Sequence, residues 1–190
     1  MRKTVKLSSL GILLLAFLNT STIQAQNRIE TIKGYSPQIG TTLSMMEDLK
    51  RRVTSSVAKL NQEETDFLLD ENANRIGAMI MHLAATEKYY QLYTFEHRGF
   101  NKEEKEKWNI ALSLGEDGRT TLKGKPIDYY LDIWDEVRAE TKRLLKTKDD
   151  TWFTAKVKGG GMNNHWAWYH VMEHQANHMG QIRLIAKRIK

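Results

Sequence analysis

The residues best suited to chemistry in this chain are histidines. Four of its six, His165, His170, His174 and His178, fall within fourteen positions near the C-terminus. His170, His174 and His178 repeat every fourth residue in the run HVMEHQANHMGQIR. On a helix that spacing puts neighbouring side chains on one face, ~6 Å apart. Two imidazoles so placed can meet one divalent ion at ~2.1 Å each. The outer two, His170 and His178, are ~12 Å apart along the axis and do not share an ion. One adjacent pair therefore binds, and His174 belongs to either pair. A site between packed helices needs a donor from a second helix. His82 stands in the apolar segment MIMHLAATEKYY, where an unpaired imidazole is costly and ligation would satisfy it. The resulting site is three neutral histidines with open positions, the catalytic rather than the closed structural type. Zinc, nickel and ferrous iron all suit such donors.

Other chemistry is excluded or weak. The chain has no cysteine, so disulfides, thiolate metal sites and cysteine nucleophiles are absent. His170, Glu173 and His174 match the H-x-x-E-H pattern of inverted zinc proteases. Those enzymes need a further ligand well downstream, and the chain ends soon after His174, so Glu173 reads as a polar neighbour. Gly159, Gly160 and Gly161 lack the strand and spacing of a dinucleotide turn. His165 in a first turn and His97 near a helix end read as surface or capping residues. Trp166, Trp168, Tyr89, Tyr90 and Tyr93 suit either core packing or a pocket wall.

Long helices must position the histidines. Two prolines in 190 residues favour them. Ile39, Leu43, Met46, Leu49, Val53, Val57 and Leu60 form one apolar stripe, started by Ser36 and Pro37. A second helix spans about Ala73 to Phe95 and carries two adjacent apolar lines, which predicts burial against more than one partner. Residues 97–125 hold a charged helical piece at Lys102–Trp108, with turns at Gly115, Gly118 and Gly124. Pro126 opens a third helix along Ile127, Tyr130, Trp134, Val137 and Leu145, ended by Lys142, Arg143 and Lys146. Trp152–Val157 reads as a short strand, one arm of a hairpin before a last helix over about Asn164–Ile189. The fold class is all-α, an antiparallel four-helix bundle. The chain is long enough for a core without covalent staples.

Residues 1–25 have the layout of a secretory signal peptide. Arg2, Lys3 and Lys6 precede the apolar run Leu10–Leu18, and Ala25 offers a cleavage point. Nine apolar residues fall far short of the ~20 needed to span a bilayer, so no stable membrane insertion is expected after cleavage. With no cysteine behind the run there is no lipid anchor. The formal charge of +6 loses those three cations, leaving +3 on residues 26–190, too mild to argue for nucleic acid. The protein is expected to be exported, periplasmic or secreted.

Two segments carry a family resemblance: WAWYHVMEHQANHMGQIRLIAKRI, preceded by Asn163 and Asn164, and NRIGAMIMHLAATEKYY. They resemble the ligand-bearing helices of DinB-like proteins, named for damage-inducible bacterial genes, over about Ile39–Ile189. The resemblance implies a four-helix bundle with a divalent metal on His82, His174 and His178, and places His170 and Gln181 beside it as pocket residues. Met179 stands where the family often has arginine, which removes a cation near the site but no ligand. Relatives include thiol S-transferases and thiol-dependent maleylpyruvate isomerases, in which the metal activates a thiol nucleophile. It implies a metal-dependent transferase, or a hydrolase using metal-bound water, on an unknown small-molecule substrate. The alternatives are a non-catalytic metal- or ligand-binding bundle, or a dimerisation module with the histidines as clips. A homodimer is among the states such a bundle adopts.

Overall fold

The computed structural model describes residues 28–189; the leader read at 1–25 lies outside them. All regular structure among the described residues is helical. Four long helices carry the fold: α1 (Pro37–Val57), α3 (Ile76–Gln91), α6 (Ile127–Leu145) and α8 (Asn164–Ala186). Four short ones decorate the connections: α2 (Gln62–Thr65), α4 (Lys102–Ser113), α5 (Gly115–Thr121) and α7 (Asp150–Thr154). A π-helical turn, Leu92–Glu96, extends α3 and ends at His97, whose φ of 56° closes it in the left-handed region. His97 is exposed. No described helix is long and apolar enough to cross a membrane.

The predicted stripes form the core. Every apolar residue of the α1 stripe from Ile39 to Val57 is buried. The two lines on α3 have the predicted consequence: each residue from Ile76 to Glu87 is buried, because α4, α6 and α8 all pack on this helix. Gly77 permits the closest approach. A Cβ there would lie 2.4 Å from the Tyr130 ring.

The expected bundle of four long helices forms, but only two of its neighbouring pairs run antiparallel as expected, and side-chain pairs reveal how it is threaded. Glu47 meets Arg138, and Lys50 meets Asp135, so α1 and α6 run antiparallel. His82 meets His174, and Tyr90 meets His170, so α3 and α8 are antiparallel too. Gly77 lies against Tyr130, and Gln91 bonds Thr141, so α3 and α6 run parallel. α1 and α8 are also parallel: Ile39 and Leu43 cluster with Trp168, whereas Val53 and Val57 cluster with Ile182. A parallel step needs a long crossover, and the excursion through α4 and α5 provides it. Capping boxes at Asn61/Glu64 and Asn101/Glu104 start α2 and α4.

Two local expectations are corrected. Trp152–Val157 is not a strand. Asp149 accepts from the Trp152 backbone N–H at 2.9 Å, and this cap starts α7 instead. The hairpin shrinks to a single antiparallel bridge, Lys156 to Asn163. Gly118, read as a turn, lies inside α5, while Gly115 and Gly124 take the positive φ of turn glycines. α7 also has a job at a distance. Asp150 Oδ1 accepts from Ser36 Oγ at 2.6 Å, Gln38 N at 3.1 Å and Ile39 N at 3.3 Å. The N-terminus of α1, which has no side-chain cap of its own, is thereby closed by a carboxylate that also suits its dipole.

Candidate metal centre

Antiparallel packing of α3 on α8 brings His82 to the level of His174 and His178. The three rings form a triangle, with centroids 4.8 Å (His82–His174), 4.9 Å (His82–His178) and 4.5 Å (His174–His178) apart. One nitrogen from each lies within 4.8 Å of the others. Of the two pairs open on α8, the fold selects His174 with His178.

The tautomer of His82 is set by its surroundings. Its Nδ1 lies 2.8 Å from the carbonyl oxygen of Ala111 on α4. A carbonyl only accepts, so Nδ1 carries the proton and Nε2 keeps its lone pair. That Nε2 lies 2.7 Å from Nε2 of His174. His178 Nδ1 is buried without a hydrogen-bond partner. Burial, followed by the nearby His178, His82 and His170, holds His174 down to about 3. Burial and His82 hold His178 down to about 4, opposed by the Gln181 carboxamide oxygen, which favours a protonated ring. Burial also lowers His82, against its bond to Ala111. All three rings are therefore neutral at pH 7, the state in which imidazole is a ligand. Neutral donors, a lone pair directed between two rings and an orphaned buried nitrogen fit a divalent cation.

His170 stands one turn from the triad, its ring centroid 5.7 Å from that of His174. It is held by neighbours instead: Trp166 stacks on it at 5.1 Å and 9°, Tyr90 meets it edge-on at 5.8 Å, and Glu173 accepts from it at 3.2 Å. Glu173 also accepts from Asn177 at 3.0 Å, so it is the polar helix neighbour expected. Gln181 lies beside His178 on the exposed side of α8. Trp168 is fully buried core, whereas Trp166 is 46% exposed. His165 is exposed and stacks on Phe153 at 4.5 Å.

A buried network beside the triad was not visible in the sequence reading. Glu87 is completely buried, and Arg138 on α6 grips it with two bonds, Nε to Oε1 at 2.8 Å and Nη2 to Oε2 at 2.9 Å. Trp134 Nε1 donates to Glu87 at 3.1 Å and Thr141 Oγ1 at 2.6 Å. Gln175, next to His174 in the chain, donates to Glu87 at 3.2 Å and accepts from Arg138 at 3.2 Å. Arg138 also reaches Glu47 on α1 at 2.8 Å. One network thus ties all four long helices at the level where α8 presents its ligands. A signal existed: Glu87 falls on the apolar line of Ile80 and Leu83, and Arg138 lies one turn from Trp134 on a buried face.

The mycothiol-S-transferase family profile matches residues 41–190, most of the chain and both histidine-bearing helices. The chain belongs to this family. Membership of the mycothiol-S-transferase family agrees with the DinB-like resemblance of the two segments and with the helical bundle. Among curated proteins, none matches the chain.

Proposed function

We propose that the protein is a metal-dependent transferase of the thiol S-transferase type, using His82, His174 and His178 to hold one divalent ion. The observation that carries this reading is the convergence of three neutral imidazoles from α3 and α8, in a chain of the mycothiol-S-transferase family. When bound there, a divalent ion supplies Lewis-acid charge that lowers the pKa of a thiol or water. Three neutral donors leave that charge uncompensated, which strengthens the effect. The residues do the remainder. Ala111 fixes the ring orientation of His82 through Nδ1, the outer-shell anchoring usual for ligating histidines. The Glu87–Arg138–Gln175 network fixes the rotation of α8. In the reaction, a thiol gives up its proton to solvent, its sulfur forms a bond to an electrophilic carbon of the second substrate, and the bond from that carbon to its leaving group breaks, with the electron pair departing on that group (chloride from chlorodinitrobenzene). In this reading the leader at residues 1–25 places the reaction outside the cytoplasm.

The test pairs elemental analysis with turnover. Purified protein carries about one ion per chain, and His174→Ala carries almost none. Metal-loaded protein conjugates a small thiol to chlorodinitrobenzene, and the stripped protein does not. Ion content without turnover towards any thiol or ester leaves the non-catalytic binding bundle. Equal metal content in both proteins removes the metal-dependent reading altogether.

A further inference from the structure

α8 leaves three large side chains nearly half exposed: Trp166 and Tyr169 at 46% each, and Leu184 at 49%. No other described helix exposes more than one. A lone exposed apolar residue is ordinary, but a group of them on one face marks a contact surface. Beside Trp166 and Leu184 runs a row of six positions: Tyr169, Glu173, Ala176, Gly180, Arg183 and Lys187, at alternating steps of four and three. That period of 3.5 is the seam along which two helices pack side by side. The row points away from the bundle. Tyr169, Gly180, Arg183 and Lys187 are exposed, and Glu173 and Ala176 partly so, whereas Trp168, Val171, Gln175 and Ile182 on the opposite face are buried.

Glycine at position 180 has no reason within the chain. It lies inside α8 with an ordinary helical φ, and a Cβ added there would meet nothing within 4 Å. Alanine would make the better helix, so the missing side chain leaves room for something outside the chain. The charges along the row are also unmatched. Arg183 and Lys187 form no ion pair among the described residues. Glu173 accepts from His170 and Asn177 and meets no lysine or arginine.

The row is complementary to itself when reversed. From the midpoint of Ala176 and Gly180, Glu173 lies as far one way as Arg183 lies the other, and Tyr169 as far as Lys187. A copy related by a two-fold axis at that midpoint runs antiparallel, and each contact then occurs twice. Glu173 faces Arg183 as an opposite charge, and Tyr169 faces Lys187 as a ring under a cation. Ala176 faces Gly180, two small residues where the backbones come closest. We infer that this row is a homodimer interface, with a second copy of the chain laid antiparallel along α8 and Ala176 against Gly180 at its centre. His82, His174 and His178 lie on the flank that α8 turns to α3, so association needs neither metal nor turnover.

The test is sedimentation equilibrium of the purified protein over a concentration series. The expected result is a reversible equilibrium of monomer and dimer. Glu173→Arg and Arg183→Glu each set like charges face to face, and each weakens association by about tenfold or more. The double variant Glu173→Arg, Arg183→Glu restores opposite charges and returns association to near that of the parent. Gly180→Gln fills the crossing and weakens association, yet dilute monomer of this variant melts at a higher temperature, since glutamine is the better helix former. Circular dichroism of these surface variants matches the parent in helix content. A monomer at every concentration up to millimolar overturns the interface. So does a dimer indifferent to either single reversal, a double reversal that stays monomeric, or a Gly180→Gln variant that associates as the parent does.

Discussion

His82 Nε2 and His174 Nε2 approach to 2.7 Å across the α3–α8 interface. With Nδ1 of His82 committed to Ala111, the proton between these two nitrogens belongs to His174. A proton and a metal ion thus compete for one place between two lone pairs.

Removal of one ligand is the first prediction. His174→Ala weakens ion binding by more than about a hundredfold, beyond the ~10–100-fold typical of losing a supporting hydrogen bond to a ligand. Helix content by circular dichroism stays near that of the parent, since His174 is only partly buried and the core residues around it are unaltered. Metal content after dialysis against a graded chelator series is the measurement.

Acid should destabilise the metal-free protein, and the sign follows from the lowered histidines. Folded, His174 titrates only at about 3 and His178 at about 4. Unfolded, both take up protons near ~6.5. Below that value the unfolded chain binds more protons than the folded one, so stability falls as pH drops through ~6.5 and is unaffected by these groups above it. Urea midpoints of chelator-treated protein should fall between pH 7.5 and pH 5. The double variant His174→Asn, His178→Asn should fall by less over the same interval.

The buried ion pair gives the largest stability effect. Glu87→Ala leaves the Arg138 guanidinium, 3% exposed, without its bidentate partner. Losing one member of such a pair costs ~3–5 kcal/mol, which appears as a lower urea midpoint. Because Gln175 hangs from the same carboxylate, metal affinity should fall as well. Glu87→Gln, which keeps an acceptor for Arg138, should recover part of both.

Gly77→Ala tests the packing of α3 on α6. The added Cβ would meet the Tyr130 ring, at 2.4 Å and 2.8 Å from two of its carbons. Tyr130 is fully buried, so relief requires a shift of the helix. Overpacking of this kind costs ~1–3 kcal/mol and outweighs the ~1 kcal/mol by which alanine is the better helix former. A rise in thermal stability would contradict the geometry.

Closure of α1 by Asp150 is testable in the same way. Asp150→Ala removes the acceptor for the backbone N–H groups of Gln38 and Ile39. A lost helix cap costs ~1 kcal/mol, and hydrogen exchange at the first turn of α1 should accelerate well beyond that in α6.

The sequence by itself determined the long helices and the identity of the donors. Apolar residues every three or four positions from Ile39 to Val57 can be buried together only on a helix, and imidazoles four residues apart can converge only on one. The resemblance of two segments was enough to place the family. Tertiary structure decided which adjacent histidine pair faces His82, because the meridian that α8 turns towards α3 is set by packing across the whole bundle. It also decided the parallel run of α3 and α6, which depends on the excursion through α4 and α5. Trp152–Val157 misled because a short segment with apolar residues at four of six positions suits strand or helix, and the Asp149 cap broke the tie. The anchors of His82 and of α1, Ala111 and Asp150, lie 29 and more than 100 residues from what they hold. One is a backbone carbonyl, which every residue possesses, so no pattern of side chains can mark it.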